Sequence, residues 1–314
     1  MDVAAVERST RLPRFRRASE PPVFRLTDHD VEIIRQVAGH RLIRSTHIAA
    51  LVGRSIDRTN HRLRLLFHAG YVDRPRAQLD RFPTDGTAPM VYALADRGAR
   101  LLCEREGFSR GVREWSRQNR EAGRPFIEHQ VEIVNFEVGV RRAVGERSDL
   151  SMLTAAETLM VAHHQRARGG NPFALRAKLS YAGWIREARV VPDFVFSLIP
   201  LRGQRFNFMV EIDRGKMPIR RSDPDKSSFE QKMRVYLSAH GAKQHERQLG
   251  WKNFRVLSVT TEAKRLQHMR ETWREISAAC GNPSLFLFTT YEALRAGDVF
   301  NSWQDSIGRP AKLL

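Results

Sequence analysis

Residues 205–218 have the sequence RFNFMVEIDRGKMP, and the expected architecture of the chain depends on them. A largely apolar run from Phe206 to Val210 leads to two acids one position apart, Glu211 and Asp213, before Gly215 breaks the segment. A short apolar run bounded by a turn residue is typical of a buried strand. Because residues two apart in a strand share one face, the stretch predicts a strand that ends in two carboxylates on the same side.

A second strand with an acid precedes this one. The segment VVPDFVF, residues 190–196, places Asp193 directly before an apolar run. An antiparallel hairpin of the two runs could bring Asp193 beside Glu211 and Asp213. Three converging carboxylates repel one another unless protonation or a hard divalent cation relieves them, and Mg²⁺ is the natural cation for oxygen ligands. We therefore predict Asp193, Glu211 and Asp213 as candidate metal ligands for Mg²⁺.

The surrounding segments predict a mixed sheet flanked by helices, in the order αβββαβαβ. The first part of this order is that of the restriction-endonuclease-like fold, so we expect residues 125–314 to form such an α/β domain. The expected elements are an amphipathic helix starting with PFIEHQVEIVNF at 125, extended runs at 151–161, 189–199 and 205–213, helices at 225–240 and 262–279, and strands at 254–261 and 284–290.

The PD-(D/E)xK catalytic motif of that fold is altered here. Pro192, Asp193 and Glu211 match it, but Asp213 occupies the position of the lysine that orients or activates the attacking water in such nucleases. Lys232 lies on the next predicted helix, and some members of the superfamily place the lysine on that helix.

Two interpretations of these acids remain open. In the first, Asp193, Glu211, Asp213 and Lys232 are the catalytic residues of a Mg²⁺-dependent endonuclease. In the second, the acids form a buried set satisfied by Arg214, Lys232 or backbone donors, on a scaffold that no longer cleaves. The missing strand lysine favours the second interpretation.

The composition indicates a polyanionic partner. The formal net charge is +18 and the isoelectric point is about 10.9, which favours nucleic acid over an anionic membrane surface, although a basic proteome would also give this balance. Cys103 and Cys280 have neither disulfide-framework nor zinc-site spacing, and no apolar run reaches the roughly 18 residues of a membrane span. We expect a protein of the cytoplasm.

The N-terminal part predicts a winged helix-turn-helix over residues 24–106. Three helical segments start near Thr27, Ser45 and Ser55, and the third places Ile56, Leu63, Leu66 and Phe67 on one stripe before it ends at Gly70. Two short extended runs joined by a loop rich in Pro, Gly and Asp follow at the position of a wing, and a helix at about 96–106 closes the domain.

The third helix carries several basic residues on the face opposite Leu63. Such a helix suits the major groove, where arginine pairs with guanine or with phosphates, whereas the plain alternative is a solvated face. The candidate DNA-binding residues on and beside this helix are Arg54, Arg58, His61, Arg62 and Arg64, and those on the hairpin are Arg74, Arg76 and Arg81.

Two further segments complete the expected organisation. Residues 1–23 contain Arg8, Arg11, Arg14, Arg16 and Arg17 without apolar periodicity, which predicts a basic disordered arm with order beginning near Phe24. Residues 107–124 are expected to be a linker. The fold class that we predict is therefore α+β, an N-terminal winged helix-turn-helix followed by a restriction-endonuclease-like α/β domain.

The order of these segments resembles the replication-relaxation family of plasmid and integrative-element proteins. The resemblance rests on LTDHDVEIIRQVAGHRLIRSTHIAALV, RLRLLFHAGYVDR, VYALADRGARLL, EHQVEIVNF, VVPDFVF, VEIDRGKMP and KMRVY. It implies a winged helix joined to a nuclease-like domain. It also implies a DNA-processing setting in mobile elements, in plasmid replication or mobilisation. We therefore predict a double-stranded DNA-binding accessory or regulatory protein of a plasmid or other mobile element, acting in replication, mobilisation or transcription control. We expect other replication or mobilisation proteins as partners and a homodimer, because winged helices often bind paired half-sites.

Overall fold

The structure is a computed structural model that describes residues 12–79, 88–107, 115–161, 171–181, 184–223, 226–278 and 283–314. Helices and strands both contribute, so the protein is of mixed α+β class, as the sequence predicts. The chain divides into two compact units, Met1–Val138 and Gly139–Leu314.

The first unit contains short helices, the first part of a longer helix, α6, and a small antiparallel sheet. In this sheet β3 lies between β1 and β2, with Ile43 opposite Tyr92 and Val72 opposite Leu94. The helices are α1 (Asp28–Gly39), α2 (Ser45–Leu51), α3 (Ile56–His68), α4 (Asp96–Glu106), α5 (Trp115–Glu121) and α6 (Arg124–Gly145), and the strands are β1 (Ile43–Arg44), β2 (Val72–Asp73) and β3 (Val91–Leu94).

Local signals set the ends of these helices. Thr27 and Asp30 form a capping box at the start of α1, in which the Thr27 amide donates to the Asp30 carboxylate at 2.8 Å. Gly70 has φ +83° just past the end of α3, a conformation that favours glycine. The core side of α3 is buried as predicted at Leu63, but Ile56 is 37% exposed because it lies in the first turn, beyond the packed stripe.

Structured segments occur where the sequence predicts a linker and a disordered arm. Helix α5 lies within residues 107–124, and its Asn119 side chain donates to the Leu94 carbonyl at 2.7 Å. Within the arm, the Arg17 Nε atom donates to the Phe67 carbonyl at 3.0 Å, and the Ala18 amide donates to His68 Nδ1 at 3.0 Å. This part of the arm therefore differs from the expected disorder, because the Phe67 carbonyl and the His68 side chain at the end of α3 bind Arg17 and Ala18.

The beginning of α6 packs with the first unit, although the expected second domain starts at residue 125. Ile127 and Val131 are buried in a cluster with Leu42 and Val91, and Val134 joins the larger core of α1 to α4. An amphipathic helix shows in its sequence that it has a buried face, but it does not show which core covers that face.

The second unit is built around a mixed sheet in the order β12-β11-β10-β9-β8-β7-β4, and β5 and β6 form a separate antiparallel pair. The strands are β4 (Leu150–Thr154), β5 (Leu175–Tyr181), β6 (Trp184–Val190), β7 (Phe194–Pro200), β8 (Phe206–Ile212), β9 (Arg255–Thr260), β10 (Phe286–Thr290), β11 (Trp303–Gln304) and β12 (Pro310–Ala311). The helices are α7 (Ala155–Val161), α8 (Phe229–Gly241), α9 (Gln244–Leu249), α10 (Ala263–Ala278) and α11 (Tyr291–Ala296).

Strand directions in this sheet place the acids. β7 and β8 are antiparallel with Phe194 opposite Val210, which confirms the predicted hairpin, while β8, β9 and β10 run parallel. Met233 of α8 and Trp273 of α10 are fully buried in the core beside β8 and β9. The connections that follow β8 and β9 therefore start at the end of the sheet where β8 carries its acids.

The expected run at 151–161 is a strand only in its first half. Thr154 and Glu157 form a capping box, with the Thr154 amide donating to Glu157 at 2.7 Å, and α7 starts at Ala155. The expected run at 189–199 also divides, because β6 ends at Val190 and β7 starts at Phe194, after Pro192.

None of the helices in the described ranges is both long enough and apolar enough to cross a membrane.

Candidate functional site

Asp193 and Glu211 lie side by side at the end of the β7–β8 hairpin. The Asp193 amide donates to the Val210 carbonyl at 2.9 Å, and the Ile212 amide donates to Asp193 Oδ2 at 2.8 Å. Asp193 therefore flanks Glu211 in the antiparallel register that the sequence predicts.

The Glu211 carboxylate is 1% exposed, and both of its oxygens have partners on α8. Lys232 Nζ donates to Oε2 at 2.5 Å, and the Tyr236 hydroxyl donates to Oε1 at 2.6 Å. Lys232 and Tyr236 are four positions apart, so one face of the helix presents both donors to the strand. The structure thus places the predicted Lys232 at the acids and adds Tyr236 as a partner.

Burial and the charges of neighbouring groups together shift the pKa values in this cluster. Burial raises the pKa of Glu211, and the nearby Asp193 charge adds to the rise, while the Lys232 ammonium opposes it. Burial alone would lower the pKa of Lys232, but the carboxylates of Glu211 and Asp193 outweigh it and raise that pKa. Burial and the neighbouring Glu211 also raise the pKa of the Tyr236 hydroxyl, which therefore acts as a neutral donor.

Asp213 is directed to different partners. Its amide donates to the Val259 carbonyl at 2.8 Å, Thr260 Oγ1 donates to Oδ2 at 2.6 Å, and Arg265 binds both carboxylate oxygens, with the NH2 atom 2.8 Å from Oδ1. Arg265 also donates to the Met217 carbonyl. A guanidinium in this bidentate arrangement fixes the carboxylate in one orientation.

The sequence analysis does not include Arg265 among the site residues. It is 52 positions from Asp213, and its role follows from topology. Because β8 and β9 are parallel, the connection after β9 starts beside the end of β8, and the first turn of α10 carries Arg265 there.

The donor set does not fit Mg²⁺ held by all three predicted ligands. Asp193 and Glu211 are adjacent, but Asp213 uses both oxygens for Arg265 and Thr260, and Glu211 uses both for Lys232 and Tyr236. Among the residues that the structure describes, no group of three or more His, Cys, Asp or Glu side chains is placed to hold a metal ion. The local cations Lys232 and Arg265 already neutralise carboxylates that a metal ion would otherwise neutralise.

The other predicted site residues cluster around α3 in the first unit. Arg58, His61 and Arg64 are exposed on α3 and Arg54 is exposed just before it, and the Arg64 NH2 atom is 3.3 Å from His61 Nδ1. A surface concavity of about 610 Å³ is lined in part by Arg54, Arg58, His61 and His29. Burial lowers the pKa of His29, and Arg54 lowers it further, as expected beside clustered arginines.

Arg62 differs from its neighbours on α3 because it binds within the protein. Its Nε donates to Asp30 Oδ1 at 2.7 Å, its NH2 atom donates to the Arg25 carbonyl at 3.0 Å and also pairs with Asp30 Oδ2, and its guanidinium lies 5.2 Å from the Phe24 ring centre. Asp30 is fully buried. This geometry assigns Arg62 a structural contact between α1 and α3.

The predicted hairpin residues also divide into two kinds. Arg74 is half-buried over the Phe67 ring at 4.2 Å and donates to the Arg14 carbonyl at 2.7 Å, and burial lowers its pKa. Arg76 is exposed. Arg81 lies outside the described residues.

Comparison with protein families identifies the family of this chain. The model of the replication-relaxation family matches residues 34–254, more than two thirds of the chain, from α1 to the start of β9. The chain belongs to the replication-relaxation family. The matched range includes α3, the three acids Asp193, Glu211 and Asp213, and Lys232, but it ends before Arg265. Neither the curated proteins nor the solved structures gave a match.

Proposed function

We propose that the protein binds double-stranded DNA and that residues 24–106, as a winged helix, are the contacting domain. The observation that carries the proposal is the two-sided burial of α3. Leu63 is fully buried in the core, whereas Arg58, His61 and Arg64 are exposed to solvent. Exposed guanidinium groups on a helix that follows a helix-turn suit a major groove. The net charge of +18 adds a sequence-independent attraction to phosphates.

The set of residues proposed to contact DNA is smaller than the set predicted from the sequence. Arg54, Arg58, His61, Arg64 and Arg76 have exposed side chains that can reach DNA, whereas Arg62 and Arg74 are bound to protein acceptors and aromatic rings. In the proposal those two arginines shape the domain and contribute little to base recognition.

A salt titration of binding tests the proposal. Duplex DNA selected from a random library is titrated with the full chain at about 50 and 200 mM salt, and affinity is expected to fall steeply because neutralised phosphates release counterions. Binding that ignores salt, or no binding to any duplex, would contradict DNA recognition by this protein.

Membership of this family suggests a role in the replication of mobile elements. Within that setting we propose an accessory or regulatory role on a plasmid or another mobile element, in replication, mobilisation or transcription control, in the cytoplasm. Replication or mobilisation proteins are the expected partners, and a homodimer on paired half-sites is the expected assembly. Light scattering with and without the selected duplex tests the dimer, since a monomer under both conditions contradicts it.

A second candidate function is a Mg²⁺-dependent endonuclease with Asp193, Glu211, Asp213 and Lys232 at its site. The observation in its favour is Lys232, which lies 2.5 Å from Glu211 and could act in place of the missing strand lysine. Against it, Lys232, Tyr236 and Arg265 would have to release the carboxylates before these could bind a metal ion.

Supercoiled plasmid incubated with the protein and Mg²⁺ or Mn²⁺ separates the two functions. We expect intact plasmid from the wild type as well as from the Asp193→Ala and Glu211→Ala variants. Nicking by the wild type that both variants lose would establish the endonuclease instead.

A further inference from the structure

A basic cavity lies at the opposite end of β8 from the acids. It has a volume of about 390 Å³ between the turn that precedes β8 and the loop that joins α9 to β9. Its charged lining residues are Arg205, Lys252 and Arg255, and its described lining contains no acid. Arg205 lies six positions before Glu211, which is roughly 20 Å along the strand at about 3.3 Å per residue.

The cations of this cavity lack carboxylate partners within the described part of the chain. Arg205 is half-buried, and burial lowers its pKa. Arg255 donates to the Lys312 carbonyl at 3.0 Å, and Lys252 is exposed. A partly desolvated cation without a counter-charge is stabilised by an anion that enters its cavity. The cluster thus differs from Lys232 and Arg265, which are bound to acids of the protein.

Hydrogen bonds hold the two sides of the cavity together. The Asn207 side chain donates to the Asn253 carbonyl at 2.9 Å and accepts from Ser197 Oγ at 2.8 Å. Asn253 Oδ1 accepts from the Phe254 amide at 2.8 Å, and the neighbouring Trp251 is fully buried. These contacts join the two chain segments that carry Arg205 and Lys252.

We propose that this cavity binds a phosphate of a nucleic-acid backbone, as a contact separate from α3. The strong positive charge of the chain favours a polyanion, and Phe206, half-buried in the lining next to Arg205, offers an aromatic surface of the kind that packs against nucleotides. Nucleic acid bound here lies at the far end of β8 from Glu211 and Asp213. The second unit therefore holds the nucleic-acid backbone away from its buried acids.

Binding titrations of the full chain with charge-neutralised variants test this site. The double variant Arg205→Gln/Lys252→Gln removes two cavity cations, and Lys264→Gln/Arg295→Gln removes two exposed cations of the same unit outside the cavity lining. Each protein is titrated with a duplex and with a single strand at several salt concentrations. Thermal melting of both variants confirms that they are folded.

We expect the cavity variant to bind on the order of tenfold more weakly. Because one phosphate contact is lost, the slope of log K against log salt should become less steep by about 0.9 for duplex or about 0.7 for single strand. The control variant should change the affinity less than twofold. Equal losses for the two variants, or no loss, would overturn the proposal.

Two competitors, inorganic pyrophosphate and polyglutamate, test whether the cavity binds a different anion. Pyrophosphate that binds only the wild-type cavity, with unchanged affinity for nucleic acid, would assign a small anion. Competition by polyglutamate equal to that by nucleic acid would assign an acidic protein partner. Either result overturns the backbone contact.

A third variant, Arg54→Gln/Arg58→Gln/Arg64→Gln, separates this site from the proposed function. If it binds nucleic acid as the wild type does while the cavity variant is weakened, the proposed contact of α3 is contradicted and that of the cavity is supported. If it loses all binding while the cavity variant is unchanged, the proposed contact of the cavity is contradicted and that of α3 is supported.

Discussion

The exposed side of α3 and the acid end of β8 use charged side chains in opposite ways. On α3 the cations Arg58 and Arg64 are exposed to solvent, so a partner can bind them. At the end of β8 the charges are buried, and Glu211 and Asp213 are neutralised by Lys232 and Arg265 of the same unit. An exposed cation contributes little to folding and is available for binding, whereas a buried pair is costly to break.

This difference gives a criterion for residues that look alike in the sequence. Arg62 lies four positions from Arg58 on the same helix, but its guanidinium binds the fully buried Asp30. Its substitution should therefore act on stability, as at the acid cluster, whereas substitution of Arg58 should act on binding. The following changes test whether that division holds.

The largest effect is expected from Lys232→Ala. The change leaves the Glu211 carboxylate buried without its cation and should lower the free energy of unfolding by about 3–5 kcal/mol. Urea unfolding measures the loss, and Lys264→Ala on the exposed side of α10 is the matched control, with an expected change within about 0.5 kcal/mol. The double variant Glu211→Gln/Lys232→Met should recover much of the loss, because it removes both charges together. Wild-type stability of Lys232→Ala would show that the pair is not needed for folding.

A loss of about 2–5 kcal/mol is expected for Leu63→Ala, because the change opens a cavity under α3 where Leu63 is fully buried. His61→Ala, on the exposed side of the same helix, should leave the midpoint of thermal unfolding nearly unchanged. If the two variants melt alike, the assignment of a core side and an exposed side to α3 is wrong.

The sequence predicts the acid hairpin because its signals are local. Apolar runs and a turn residue predict β7 and β8, and the period of two places Asp193 beside Glu211. The capping motif and the Gly70 position likewise predict the ends of α1 and α3. The residues of the Thr154–Glu157 capping box are equally local, although the apolar pattern around them predicts an extended run.

The partners of the acids depend on the tertiary structure, and for that reason they were harder to predict. Arg265 reaches Asp213 only because β9 runs parallel to β8, and no local pattern specifies that pairing. Arg62 carries the same charge and helical phase as a DNA-contacting arginine, and only the position of Asp30 on α1 distinguishes it. Ile56 belongs to the apolar stripe by periodicity, but the fold leaves the first turn of α3 uncovered.

Arg62→Ala should lower the free energy of unfolding by roughly 2–3 kcal/mol, less than a fully buried pair because Arg62 keeps some exposure. Burial alone would raise the pKa of Asp30, but the bonds from Arg62 and Thr27 outweigh it and lower the pKa. A lowered folded-state pKa stabilises the protein above the unfolded value of about 3.9, and this stabilisation is lost as the pH falls through the folded value. The difference between wild type and variant should thus be full at pH 7 and shrink below about pH 4. A difference that does not depend on pH would mean that lost packing on Phe24 is its main cause.

The smallest change in the protein itself, and the sharpest test of the comparison, is Arg58→Ala. The side chain is exposed, so thermal unfolding should match that of the wild type, while binding to a selected duplex should weaken by about 1–3 kcal/mol if the guanidinium pairs with a base edge. Arg100→Ala, an exposed arginine on α4, is the matched control for the loss of one positive charge. Because phosphate contacts are insensitive to sequence, a duplex of scrambled sequence separates the two kinds of contact. Loss on the selected duplex alone assigns Arg58 to a base, and equal loss on both duplexes assigns it to a phosphate. If Arg58→Ala binds as tightly as Arg100→Ala, then α3 does not make the contact, and its exposed arginines form a solvated face like that of any surface helix.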